Sequence, residues 1–90
     1  MRERDLETFT KTYIESHGGL ALKFISPGYA GVPDRLVLMP GGKMCFMELK
    51  AFGKSPRPLQ VRCIGKLRAL GFKVFVVDGK EQIGGILDAL

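Results

Sequence analysis

Ninety residues, 46% of them hydrophobic, suffice for one compact domain with little core to spare, so association with a second copy is an expectation from size alone. No apolar stretch nears the roughly 20 residues that cross a bilayer, and the opening MRERDLETF is too charged for a secretory signal, so the expectation is a soluble, cytoplasmic protein with no membrane partner. The formal charge of +5 is uneven: Lys43 to Lys73 hold eight bases against the single acid Glu48, the remainder six bases against eight acids, and such a basic segment suits a polyanion or an ordinary solvated helix face.

No repeat, low-complexity run or linker divides residues 1–90, which read as a single domain. Glu3 to about His17 has Leu6, Phe9, Tyr13 and Ile14 at helical spacing and ends at Gly18-Gly19, where glycine takes the left-handed terminal position. His17 at that end favours the helix dipole. Leu20 to about Ile25 is a short strand, followed by a glycine- and proline-punctuated loop, Ser26 to Pro33. Residues 31–50, GVPDRLVLMPGGKMCFMELK, are two apolar runs about Pro40-Gly41-Gly42 and predict a hairpin. AFGKSPRP is a loop. Pro58 opens a helix through Cys63, Ile64, Leu67 and Leu70, closed by Gly71. FKVFVV, 72–77, is a strand, and Asp78 with Glu81 resembles a capping box for a short last helix over 79–90. The fold class is therefore α/β: an α-β-β-β-α-β-α order in which the hairpin supplies an antiparallel pair and the second helix a crossover, giving a mixed sheet flanked by helices. Cys45 and Cys63 fall in apolar stretches and read as reduced, buried thiols, and with one histidine they are too few for a zinc site.

A turn centred on Gly41 places Met39 opposite Lys43 and Asp34 opposite Glu48. Directly opposed residues share a sheet face with Cβ atoms about 4.5–5.5 Å apart, where two like charges need compensation. A divalent cation compensates, since a pair of carboxylates gives Mg²⁺ oxygen ligands and leaves positions for water and phosphate. Lys50 projects from the same face as Glu48, where its ammonium can act on a water or a phosphate. A one-residue slip in register would turn the two acids apart.

Gly31-Val32-Pro33-Asp34, followed after thirteen intervening residues by Glu48-Leu49-Lys50, resembles the PD-(D/E)xK nucleases, and the surrounding pattern is similar to the small virus-type replication-repair nuclease (VRR-Nuc) branch. Glu7 on the first helix matches that branch's helical acid and Gln60 its helical glutamine, so the likeness spans nearly the whole chain. It implies a restriction-endonuclease-like αβββαβ core and a Mg²⁺- or Mn²⁺-dependent endodeoxyribonuclease. It further implies a homodimer that cuts branched DNA such as four-way (Holliday) junctions in repair and recombination, virus-encoded in a bacterial host. Asp34, Glu48 and the backbone carbonyl of Leu49 would then be metal ligands, and Lys50 would position or activate the attacking water. Glu7 would act through a water on the metal or as a ligand of a second ion, and Gln60 would hydrogen-bond the water, Lys50 or a phosphate.

Lys54, Arg57, Arg62 and Lys66 are candidates for phosphate contacts, while Arg68 and Lys73 read as solvated charges. Tyr29, just ahead of the site, stacks on a base or packs on the sheet. Two other readings stand beside the junction nuclease. One is a DNA-binding module in which Glu48 and Lys50 form a structural ion pair, a poor stabiliser when buried. The other is a general or restriction-like nuclease without junction preference. For self-association the candidates are the exposed part of the first helix, the Phe24/Ile25 strand and the last helix, and paired cuts in a two-fold junction suit a C₂ dimer.

Overall fold

The computed structural model describes residues 1–90 and has the expected order: α1 (Glu3–Ser16), β1 (Leu20–Lys23), β2 (Arg35–Met39), β3 (Lys43–Leu49), α2 (Pro58–Ala69), β4 (Val74–Val77) and α3 (Ile83–Asp88). The strands form one sheet in the order β1-β2-β3-β4. The first three are antiparallel neighbours and β4 is parallel to β3, with α2 as the crossover. The fold is the mixed, helix-flanked α/β sheet that the sequence predicts.

Alternation along β3 sends Cys45, Met47 and Leu49 to one face. There they join Val37 and Val77 beneath Leu6 and Ile14 of α1 and Ile83 of α3, all buried. Phe46 and Val74 point to the other face and pack on Ile64 of α2. That second face is only half covered. Leu20 and Leu22 of β1 remain 51% and 44% exposed.

Several boundaries differ from the sequence reading. β1 stops at Lys23, two residues short of Ile25, although Phe24 N–H still donates to the Asp34 carbonyl. β4 begins at Val74 because Gly71 and Phe72 are spent in closing α2, where the Phe72 N–H bonds back to the Leu67 carbonyl. Leu70 is 73% exposed and does not belong to the buried stripe of α2, which is Gln60, Cys63 and Ile64. The last helix is split into a 3₁₀ turn, Lys80–Gln82, and α3. Its cap is made by Gln82, whose Oε1 accepts from the N–H groups of Asp78 and Gly79, while the Asp78 carboxylate accepts from Gly53 N–H. Asp78 and Glu81 therefore do not form the expected box. The hairpin turn is a 3₁₀ turn over Pro40–Gly42, and it leaves the predicted Met39–Lys43 pairing intact. His17 caps α1 and stacks on Tyr13, ring centroids 4.3 Å apart. Both cysteines are buried and free, and burial pushes the Cys45 thiol up to about 11.

Candidate active site

The β2–β3 ladder pairs Arg35 with Met47, and extending it brings Asp34 opposite Glu48 and Pro33 opposite Leu49. Proline has no N–H. At that step the ladder can give the Leu49 carbonyl no donor. The Leu49 N–H, in turn, donates to Oδ2 of Asp34 across 2.9 Å, and the Asp34 N–H donates to Oε1 of Glu48 across 3.1 Å. Two acids are thus held side by side, Glu48 by the Asp34 N–H and Asp34 by the Leu49 N–H. Pro33 is fully buried, so this break in the ladder lies inside the fold rather than at a frayed end.

Glu48 itself is fully buried. Its Oε2 accepts from Nε2 of Gln60 at 2.6 Å and lies 3.2 Å from Nζ of Lys50. Gln60 is held by its place in the first turn of α2, where its Oε1 accepts from the Arg57 N–H and its side chain points at the sheet. Burial pushes the Glu48 carboxyl above its ordinary range, and the facing Asp34 carboxylate pushes the same way. The hydrogen bond and charge of Lys50 and the Asp34 N–H pull back. The fold therefore keeps a carboxylate where its charge is disfavoured, with the Asp34 carboxylate beside it. An all-oxygen donor set of this kind suits a hard cation such as Mg²⁺ or Mn²⁺.

Four of the predicted site residues, Asp34, Glu48, Lys50 and Gln60, come together with Leu49. Glu7 does not bond to them. It is half-buried on α1, its Oε1 lies 3.7 Å from Nη2 of Arg35, and it shares with Asp34 a small cavity of about 220 Å³. Arg35 is a residue that the sequence reading missed. It follows Asp34 directly, so its side chain crosses to the α1 face, and a charge in that apolar period was the signal. Its Nη1 donates to the Ala21 carbonyl.

Of the predicted DNA contacts, Lys54, Arg57, Arg62 and Lys66 are all exposed. Arg57 lines the cleft that opens from Asp34 and Gln60. Arg62 and Lys66 line an adjoining hollow with Tyr29, and Nζ of Lys66 lies 5.8 Å from the Tyr29 ring centroid. Tyr29 is exposed. Arg68 and Lys73 are exposed, as expected of solvated charges, and each also reaches a backbone carbonyl: Arg68 donates twice to that of Val74 and Lys73 once to that of Ala89.

No family model matches the chain. It is, however, 44% identical over 90 residues to "Putative nuclease p44" of Acyrthosiphon pisum secondary endosymbiont phage 1, a likeness that takes in all of this chain and 96% of the relative. A solved structure described as "VRR_NUC domain" superposes with a TM-score of 0.87 at 33% identity, covering 96% of this chain and 94% of that one. Likeness over the full length to a nuclease in sequence and to that domain in space agrees with the acid pair, lysine and glutamine gathered at the sheet's end: the chain belongs to the VRR-Nuc family of nucleases.

Proposed function

We propose that this nuclease is a Mg²⁺- or Mn²⁺-dependent endodeoxyribonuclease that cuts branched DNA, four-way junctions among its substrates, as a homodimer inside the cell. The observation that carries the reading is Glu48, a fully buried carboxylate facing a second acid, an arrangement that a cation would relieve. Asp34, Glu48 and the Leu49 carbonyl would hold the ion, with Glu7 near enough on the Asp34 side to serve a water or a second ion. A bound cation supplies Lewis-acid polarisation of the phosphoryl oxygen and lowers the pKa of water. Lys50 and Gln60 both direct N–H groups at Oε2 of Glu48, so they can orient an attacking water or hold a phosphate oxygen. In the hydrolysis the water oxygen forms the new P–O bond and the P–O ester bond breaks. One proton leaves the water and one reaches the departing alkoxide.

Exposed Arg57, Arg62 and Lys66 on the flank of α2 supply the phosphate contacts. Dimerisation is supported by the uncovered half of the sheet, where Leu20, Leu22 and Leu38 lie exposed on one face; this is a more apolar surface than the outer side of α1. Light scattering that gave a monomer at micromolar concentration would count against it. The Lys50–Glu48 contact also fits a binding module without chemistry, but that reading leaves the opposed Asp34 without a purpose. A four-way junction, a flap and a linear duplex of one sequence, incubated with Mg²⁺, Mn²⁺ or EDTA, separate the readings. We expect metal-dependent cutting, strongest on the junction and lost in Glu48→Ala and Lys50→Ala while binding persists. Binding without cutting under either metal would overturn the enzyme.

A further inference from the structure

The cleft beside the acid pair is built differently from a phosphate track. It has a volume of about 740 Å³, and Phe24, Ile25, Tyr29 and Leu59 line it together with Asp34 and Gln60 of the site. Ile25 is 75% exposed and Leu59 56%. Large apolar side chains are held out to solvent within reach of a site that handles a polyanion. One wall packs directly on α2: a Cβ at Gly31 would lie 2.5 Å from the Leu59 carbonyl oxygen. One cation, Arg57, lines this cleft, and Arg62 and Lys66 line the adjoining hollow that Tyr29 shares with it.

A paired, stacked duplex offers phosphates and sugars to such a surface and keeps its base faces inside. Only a base that has left the stack can bring an apolar, planar face into a cleft that adjoins the scissile phosphate. We propose that the cleft receives one unpaired nucleotide next to the phosphate being cut, its base lying among Ile25, Leu59 and Tyr29 while Arg57 meets the backbone. This inference rests on the nuclease reading and deepens it. At a branch point an unpaired base then adds to the affinity that the branched geometry itself provides. Positive charge beside exposed apolar side chains is the complement of a single nucleotide, whose phosphate is charged and whose base is not.

The test is equilibrium binding in EDTA, which needs no cleavage. Fluorescence anisotropy would compare a blunt duplex with the same duplex carrying one central unpaired nucleotide, and with 2-aminopurine as that nucleotide to report its surroundings. We expect roughly tenfold tighter binding of the unpaired substrate, in line with the worth of one stacked base, and a change in 2-aminopurine emission on binding. Ile25→Ser with Leu59→Ser should abolish the preference and the emission change, and because both side chains are exposed the variant should melt with the parent. Equal affinity for the two substrates, with DNA binding intact, overturns the cleft proposal and leaves the nuclease reading standing. A preserved preference with no cutting of any substrate under either metal removes the hydrolysis and supports the cleft. No binding to either DNA overturns both.

Discussion

The amide of Gln60 donates to the carboxylate of Glu48 across 2.6 Å, joining the first turn of α2 to the end of the inner strand β3 at a point that solvent does not reach. The same side chain accepts from the Arg57 N–H, so one residue both caps a helix and steadies a buried charge. Removing it leaves an orphaned helix donor and takes a neutral donor from a buried carboxylate. A hydrogen bond to a charged group is worth about 1.5–3 kcal/mol. Gln60→Leu should therefore lower stability in urea by about 2 kcal/mol and slow cleavage as well; an unchanged unfolding midpoint would mean that water or Lys50 replaces the amide fully.

Glu48 gives a pH signature. Its folded pKa is raised, chiefly by burial and then by Asp34, above the ordinary value of 4.5. The folded state thus holds its proton more tightly than the unfolded chain. The stability this contributes is fully present below the unfolded value and is lost as pH rises through the folded one. Without metal, Glu48 should weaken the fold at neutral pH. Urea midpoints measured in EDTA from pH 4.5 upward should fall more steeply for the parent than for Glu48→Gln, which carries no charge to bury. Added Mg²⁺ or Mn²⁺ should raise the melting temperature of the parent at pH 7 and not that of Glu48→Gln, because a ligand stabilises only the form that binds it. Parallel midpoint curves for the two proteins would show that Glu48 is solvated after all.

What the sequence made legible follows from what periodicity can carry. Counting across the Pro40-Gly41-Gly42 turn placed Asp34 opposite Glu48, and the ladder keeps that register because the turn length fixes it and a slip would expose Met47 and Leu49. Family likeness brought Gln60 to the site but named the water, Lys50 or a phosphate as its partner; the bond it makes is to Glu48, and periodicity says only that position 60 faces inward. Arg35 went unnoticed as a partner of Glu7, because alternation identifies the face of a residue and not the helix that crosses it. The cleft walls, Ile25 and Leu59, carry no pattern at all. They are brought together by the 26–33 loop folding onto α2, and only the close approach of Gly31 records that contact.

Gly31 gives a direct probe of that loop. Its φ of +86° lies in the left-handed region, and a Cβ would meet the backbone of Leu59 rather than a yielding side chain. Gly31→Ala must either strain the backbone, at about 1–3 kcal/mol, or push the loop off α2. Thermal unfolding should fall accordingly, and the preference for an unpaired nucleotide should weaken with it. A variant as stable as the parent would mean that the loop moves away freely.

Arg35 and Glu7 test whether the helical acid needs positioning. The guanidinium is buried, bonds the Ala21 carbonyl, faces Glu7 at 3.7 Å and leaves its Nε without a partner. A buried charge so incompletely matched contributes little net stability, and an apolar side chain of similar length can replace it at small cost. Arg35→Met should therefore change urea stability by less than about 1.5 kcal/mol. Its effect on cleavage should be larger, because Glu7 loses the group that aims it toward Asp34, and small misplacements near a reacting centre cost up to about a hundredfold. Arg35→Lys, which restores a charge without the fork, should recover part of the rate. The decisive comparison is with Glu7→Ala: if that variant is inactive while Arg35→Met cuts at the parental rate, Arg35 holds the fold and does not position the acid.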